Sequence, residues 1–165
     1  MLFRSDKIAD ALLDHQEMYL HGITFGGHPI VAAAALKNLE IMEREGVIEN
    51  VRANEDYLRD QLLGLKDRHE IVGDVRGAGY FWAMELVKDR ATKATFNEEE
   101  CNVLLRDFLS PTLLKEGLLC RADDRGDPAI QISPPLITTR EQIDEAIAVF
   151  DRVLPEAQKR MAKLR

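Results

Sequence analysis

Glu70-Ile71-Val72-Gly73-Asp74-Val75-Arg76-Gly77-Ala78-Gly79-Tyr80-Phe81-Trp82-Ala83-Met84-Glu85-Leu86-Val87 is where the hydrophobic pattern of this chain changes period. Upstream, apolar residues recur every three to four positions; within this stretch β-branched and aromatic residues cluster and glycines interrupt them. The pattern predicts two strands, or one bent strand, with the glycines marking a kink or a close approach of backbones. Arg76 is expected to pair with Asp74 or a nearby carboxylate. Phe81 and Trp82 are expected to pack inward, as aromatic residues on strands usually do. A GxGxxG pattern is absent and no helix follows, so Gly73–Gly79 does not read as a dinucleotide loop.

Working outward, Ser5 to about Asp14 or His15 has the cap and apolar spacing of a short helix. His21-Gly22-Ile23-Thr24-Phe25-Gly26-Gly27-His28-Pro29 is too rich in Gly and Pro to be anything but a loop, and Pro29 suits the first turn of a helix. That helix, from Ile30 to Gly46, is apolar on nearly all sides at its start, which predicts deep burial or a subunit contact. An amphipathic helix follows from Val47 to about Leu65. Downstream of the strands, Asn97-Glu98-Glu99-Glu100 has the cap and acidic first turn of a helix running to Glu116, with Gly117 closing it. Leu118–Arg121 and Ala129–Ile132 read as short strands joined by the charged loop 122–128. Ser133-Pro134-Pro135 then takes the chain out of the sheet, because neither proline can donate to a ladder. A capping box with Thr138 as cap opens the last helix. Helices and strands are segregated, without βαβ alternation, which predicts an α+β fold: a small antiparallel sheet covered by helices, preceded by a long helix.

Composition narrows the function classes. The 165 residues carry a net charge of -7, with 45% hydrophobic and 31% charged residues. An apolar fraction this high argues against disorder. The acidic balance, without a basic cluster, argues against nucleic-acid binding. The longest nearly apolar stretch, Ile30–Leu36, is too short to span a bilayer, and Met1-Leu2-Phe3-Arg4 lacks the apolar core of a secretory signal, so a cytoplasmic location is expected. Cys101 and Cys120 have no CxxC spacing and no neighbouring His, which predicts two reduced structural thiols and no metal site.

The loop 21–29 is the segment most able to carry chemistry. Glycines and a hydroxyl entering a helix N-terminus can present backbone N–H groups and the Thr24 side chain to an anion such as phosphate, although the same composition also makes an ordinary turn. His21 and His28 are potential bases, but in so tight a loop a structural hydrogen bond is the simpler role. Arg121, at a strand end before an Asp- and Gly-containing loop, can pair bidentately with a carboxylate. The alternatives are a surface Arg paired to the nearby aspartates, and Arg125 as a competitor for the same role.

HGITFGGHP followed by an Ala-rich helix resembles a segment of the class III pyridoxal-phosphate-dependent aminotransferases, the fold-type I group that includes ω-amino acid:pyruvate transaminases. EGVIENV, VGDVRGAGYFWAMELV, GLLCRADDRGD and ISPPLITTREQIDEAI continue the resemblance in order over nearly the whole chain. It implies a homodimer in which Thr24, assisted by the backbone N–H of Ile23, contacts the cofactor phosphate of the partner subunit. It implies that Arg121 binds the substrate carboxylate. The implied reaction moves an amino group between an amine or ω-amino acid and a 2-oxo acid such as pyruvate, although aminomutases and racemases share the scaffold.

The resemblance also implies what these residues lack. The Schiff-base lysine and the acid that holds the pyridine nitrogen lie upstream of the HGxT segment in that family, and Lys7, inside the expected first helix, does not match the lysine. The chain is therefore expected to be the C-terminal portion of such an enzyme, inactive alone, with 1–45 as the end of the cofactor-binding large domain and 46–165 as the small domain. A non-catalytic dimerisation or binding module derived from the same scaffold is the other reading.

Overall fold

In a computed structural model the structure describes residue 10 and residues 22–123 and 128–162. The expected first helix, His21, Lys7 and Arg125 lie outside the described residues. Two compact units divide the chain, residues 1–41 and 42–165.

In the first unit the loop from Gly22 leads into helix α1, Pro29–Arg44. Pro29 opens the helix at a position whose N–H has no intrahelical partner anyway. No residue of α1 is buried; Ile30, Val31, Leu36 and Leu39 are 75, 54, 69 and 56% exposed. Among the described residues α1 is therefore not deeply buried, contrary to one half of the expectation. Its apolar positions are distributed around the cylinder, and the described residues provide no surface to cover them.

Helix α2, Val47–Arg68, begins after Gly46, whose φ of 61° lets the chain turn out of α1. Leu58, Leu62 and Leu65 form its buried stripe. Strands β1, Val72–Ala78, and β2, Phe81–Leu86, make a hairpin closed by Gly79 and Tyr80, with Gly79 at φ 56°. Of the two strand options, the structure adopts two strands. The register slips between Val72 and Asp74, a bulge at Gly73, where an added Cβ would lie 2.5 Å from Val87 Cγ1. Strand β3, Arg121–Asp123, and strand β4, Ala129–Ile132, complete a four-stranded antiparallel sheet ordered β1-β2-β4-β3.

The alternation of the strands sorts the sheet into two faces. Val75, Trp82, Met84, Leu86, Ile130 and Ile132 are buried in the common core with α2 and the remaining helices. Arg76, Phe81, Ala83, Glu85 and Gln131 occupy the other face. Trp82 is therefore core as expected, and its Nε1–H donates to the Gly79 carbonyl at 2.8 Å. Phe81 is not; it is 70% exposed because consecutive strand residues cannot share a face. Arg76 pairs with Asp74 at 3.3 Å and with Glu85 across the hairpin, as its position implied.

The helix expected from Asn97 to Glu116 is continuous in path but mixed in winding. Asn97 forms a full capping box with Glu100, opening α3, Glu98–Cys101. A wider π-type stretch, Asn102–Leu109, follows, and then α4, Ser110–Lys115. Pro111 sits just after the widening, where its ring would clash with the preceding turn of a regular α-helix. The last helix, α5, Arg140–Ala162, packs Ile143, Ile147, Phe150, Val153 and Leu154 inward. Its cap is Thr139, not Thr138: Gln142 N donates to Thr139 Oγ1, and Thr139 N donates to Gln142 Oε1 at 3.0 Å. The box is shifted by one residue, since Thr138 is buried and its carbonyl accepts from Asn50 Nδ2 at 3.1 Å and from Tyr80 Oη at 3.1 Å.

Strand β3 starts at Arg121, three residues later than the sequence reading placed it. The register pairs Arg121 with Gln131, so Leu119 would have to face Ser133 and Leu118 would face Pro134. Ser133-Pro134-Pro135 cannot extend the ladder, and Leu119 is left 85% exposed.

Candidate functional site

The loop before α1 is a pair of overlapping turns. Gly26 N donates to Ile23 O at 2.8 Å and His28 N to Phe25 O at 3.0 Å, while Ala32 N donates to His28 O as the helix begins. The His28 ring meets Phe25 edge-on, centroids 6.2 Å apart. These contacts use the loop's later N–H groups internally. They leave the Ile23–Thr24 segment on the outside, with Ile23 76% exposed, and among the described residues no partner takes up the Thr24 hydroxyl. An exposed hydroxyl beside backbone N–H groups ahead of a helix N-terminus is a donor set that fits a phosphate dianion.

In the second unit, Arg121 stands at the start of β3, on the edge of the sheet, with its side chain exposed. It lines a cleft of about 1000 Å³ between the β3–β4 edge, the Ser133–Thr139 segment and α5. Leu118, Ile132, Pro134, Ile143 and Phe150 make much of this wall apolar, and its polar residues include Arg121, Gln131 and Gln142 as well as the carboxylate-bearing Glu116 and Glu145. The segment 133–139 is held by Asn50, whose Nδ2 donates to Leu136 O at 2.8 Å as well as to Thr138 O. Cys120, also on the wall, is pushed up to about 11 by burial, so it stays a protonated thiol at neutral pH. Both cysteines are free thiols, as the sequence implied. On the outer sheet face, Lys66 at 2.9 Å holds the Asp74 carboxyl below its ordinary range. Among the described residues no group of His, Cys, Asp and Glu could hold a metal, and no helix is long and apolar enough to cross a membrane.

Thr24 and Arg121 thus belong to separate units of the chain.

Comparison with known proteins fixes the family. The profile of class-III aminotransferases matches residues 1–154, and the chain belongs to that family, whose members are pyridoxal-phosphate-dependent. A probable aminotransferase of Mycobacterium tuberculosis is 44% identical over 163 residues, covering 99% of this chain and 34% of the relative. A putrescine–pyruvate aminotransferase of Pseudomonas aeruginosa is 39% identical over 152 residues, covering 92% and 31%. Among solved structures, the PMP-bound form of an aminotransferase from Vibrio fluvialis aligns with a TM-score of 0.74 at 31% identity, covering 93% of this chain and 32% of that one. The chain spans about a third of the length of the curated relatives it matches.

Proposed function

We propose that this chain is the C-terminal portion of an aminotransferase that moves an amino group between an amine or ω-amino acid and a 2-oxo acid such as pyruvate. In this reading 1–45 ends the large domain and 46–165 is the small domain. The observation that carries it is the exposed Ile23–Thr24 segment, whose donors suit a phosphate and which a pure scaffold has no physical need to retain. Thr24 and the Ile23 N–H would hold the phosphate of pyridoxal 5'-phosphate, and Arg121 the substrate carboxylate. Bound there, the cofactor supplies the electron sink that amino transfer requires. The exposed apolar positions of α1 support a homodimer, in which that helix finds the cover that the described residues do not provide. A cytoplasmic location belongs to the same reading.

The chain alone is expected to be inactive, because no lysine in it matches the family's cofactor-bearing position. Borohydride reduction with pyridoxal phosphate tests both halves. The isolated chain should give no adduct at a single lysine, whereas the full-length enzyme should give one. In the full-length enzyme Thr24→Ala should weaken cofactor retention about tenfold or more, the scale of one hydrogen bond to a charged group. Stoichiometric labelling of one lysine in the isolated chain, with turnover, would overturn the inactivity. Unchanged retention in Thr24→Ala would favour the non-catalytic module, and epimerisation without amino transfer would favour a racemase.

A further inference from the structure

The cleft wall from Ser133 to Thr139 belongs to neither helix nor strand, and Pro134 and Pro135 have no N–H with which to tie it to a ladder. Within it, Leu136 and Ile137 form a turn closed by Thr138 N, which donates to Pro135 O at 2.9 Å. The anchor for this turn comes from α2: Asn50 Nδ2 donates to Leu136 O at 2.8 Å and to Thr138 O at 3.1 Å. Those two carbonyls flank Ile137, which is exposed and lines the cleft. Tyr80 Oη is a second donor to Thr138 O, at 3.1 Å. The direction of the Asn50 amide is set from behind. Asn50 Oδ1 accepts from Asn54 Nδ2 at 3.1 Å, and Asn54 Oδ1 accepts from Arg140 Nε at 2.8 Å. A guanidinium can only donate and the wall carbonyls can only accept, so both amides of this relay are held in one orientation. Arg140 is fixed in turn: its Nη2 donates to Ala53 O at 3.2 Å, and its guanidinium lies over the Tyr57 ring, 5.0 Å from the centroid.

From this relay we infer that Asn50 is a positioning residue for the cleft: it fixes the turn at Leu136–Thr138 and thereby sets how large a substrate side chain the cleft admits. The inference rests on the reading of the cleft as the substrate site of an aminotransferase, with Arg121 holding the carboxylate. Two hydrogen bonds from one amide to carbonyls two residues apart fix both the position and the tilt of the residue between them, so Ile137 meets the cleft at a defined depth. Without the amide, Leu136 O loses the partner that ties it to α2, and Thr138 O keeps Tyr80 alone. The turn is then free to swing, since its prolines offer no backbone donor to replace what was lost. A wall that yields admits a larger side chain and holds a small one less closely.

The experiment uses the full-length holoenzyme and compares pyruvate with phenylpyruvate, which carries the same carboxylate on a larger side chain. Asn50→Asp keeps the shape but sets an acceptor against two acceptors; Asn50→Leu nearly keeps the volume and has no donor; Tyr80→Phe removes only the second donor to Thr138 O. In both Asn50 variants the preference for pyruvate, as a ratio of kcat/KM values, should fall about five- to tenfold, the scale of one hydrogen bond. Amide exchange of a peptide covering 136–139 should quicken by about the same factor, with the rest of the small domain unchanged. Tyr80→Phe should move both readouts the same way by less. Ile137→Ala, which alters the wall without loosening its anchor, should lower the preference and leave exchange as it was. If Ile137→Ala lowers the preference and the Asn50 variants do not, the inference fails and the reading of the cleft stands. If none of these variants changes the preference, the inference fails, and Arg121→Ala decides the reading of the site. A loss with pyruvate but not with butanal, an acceptor that has no carboxylate, keeps that reading; equal effects on the two overturn it. Equal losses for both 2-oxo acids in the Asn50 variants, or faster exchange throughout the small domain, would make Asn50 a merely structural residue and overturn the inference as well.

Discussion

Arg121→Ala in the full-length enzyme should raise KM for pyruvate by roughly 30- to 100-fold while leaving the reaction with butanal within about twofold, the difference expected for a hydrogen-bonded charged contact made by only one substrate. Arg121 is exposed and lines the cleft, and the planar fork of a guanidinium matches a carboxylate with two parallel hydrogen bonds. Alanine removes the charge and the fork together. Arg121→Lys should fall between the two, because a lysine keeps the charge but presents a point donor in place of the fork. Steady-state kinetics with both acceptors reads the ratio directly. Equal losses for the two acceptors would mean that the side chain supports the cleft and does not recognise the carboxylate.

Gly77→Ala should have the largest effect on stability. Gly77 faces Trp82 across the hairpin, and a Cβ built there overlaps the Phe81 carbonyl oxygen and lies 2.7 Å from Trp82 Cα and 2.8 Å from the Trp82 ring. The first two are backbone atoms of the paired strand, so no rotamer change relieves them and the β1–β2 ladder must open. A cost of about 3 kcal/mol is expected, at the upper end of overpacking effects. Urea unfolding followed by the fluorescence of Trp82, the single tryptophan of the sequence, measures it at the affected place. Gly64→Ala, near the C-terminal end of α2, is the control. Its added methyl meets Arg68 Nη1 at 2.9 Å, the far end of a long side chain that Asp151 holds through Nε and Nη2, and helix propensity favours alanine by up to about 1 kcal/mol, so its midpoint should move far less than that of Gly77→Ala. Equal midpoints for the two variants would show that the hairpin is looser than its register implies.

Much of this fold was legible because its punctuation is strong. Gly46, Asn97 and Pro29 mark helix ends by mechanisms that act locally, and all three act in the structure as read. The α+β arrangement followed from where period-two alternation replaced helical spacing. The errors arose where a residue's role depends on a partner distant in sequence. The start of β3 is decided by what stands opposite on β4, and carrying the prolines through the register would have shortened the strand to Arg121–Asp123. Thr138 matches a capping box by spacing, but Tyr80 and Asn50 hold its carbonyl, and Thr139 caps instead. The apolar sides of α1 were visible; that no other described residue covers them was not, since periodicity reports the width of an apolar surface and not its occupant. At the candidate site, Thr24 and Arg121 stood out by residue type and motif, whereas the cleft beside Arg121 is made by packing between the sheet, the 133–139 segment and α5, which residue types alone do not report.

The shortness of β3 has a consequence for solubility. A sheet edge is a template for strands of other molecules, and natural edges are blunted by being brief, charged or bent. Here one edge is three residues long, opens with Arg121 and is cut off by Pro134 and Pro135 on its neighbour's side; the other edge, β1, carries Asp74, Arg76 and the bulge at Gly73. Arg121, proposed to bind the substrate carboxylate, is thus also a guard against edge-to-edge pairing. Replacing Arg121 with an apolar residue to admit bulkier substrates would remove both functions at once, so tolerance for such substrates and resistance to aggregation are set against each other at this one position.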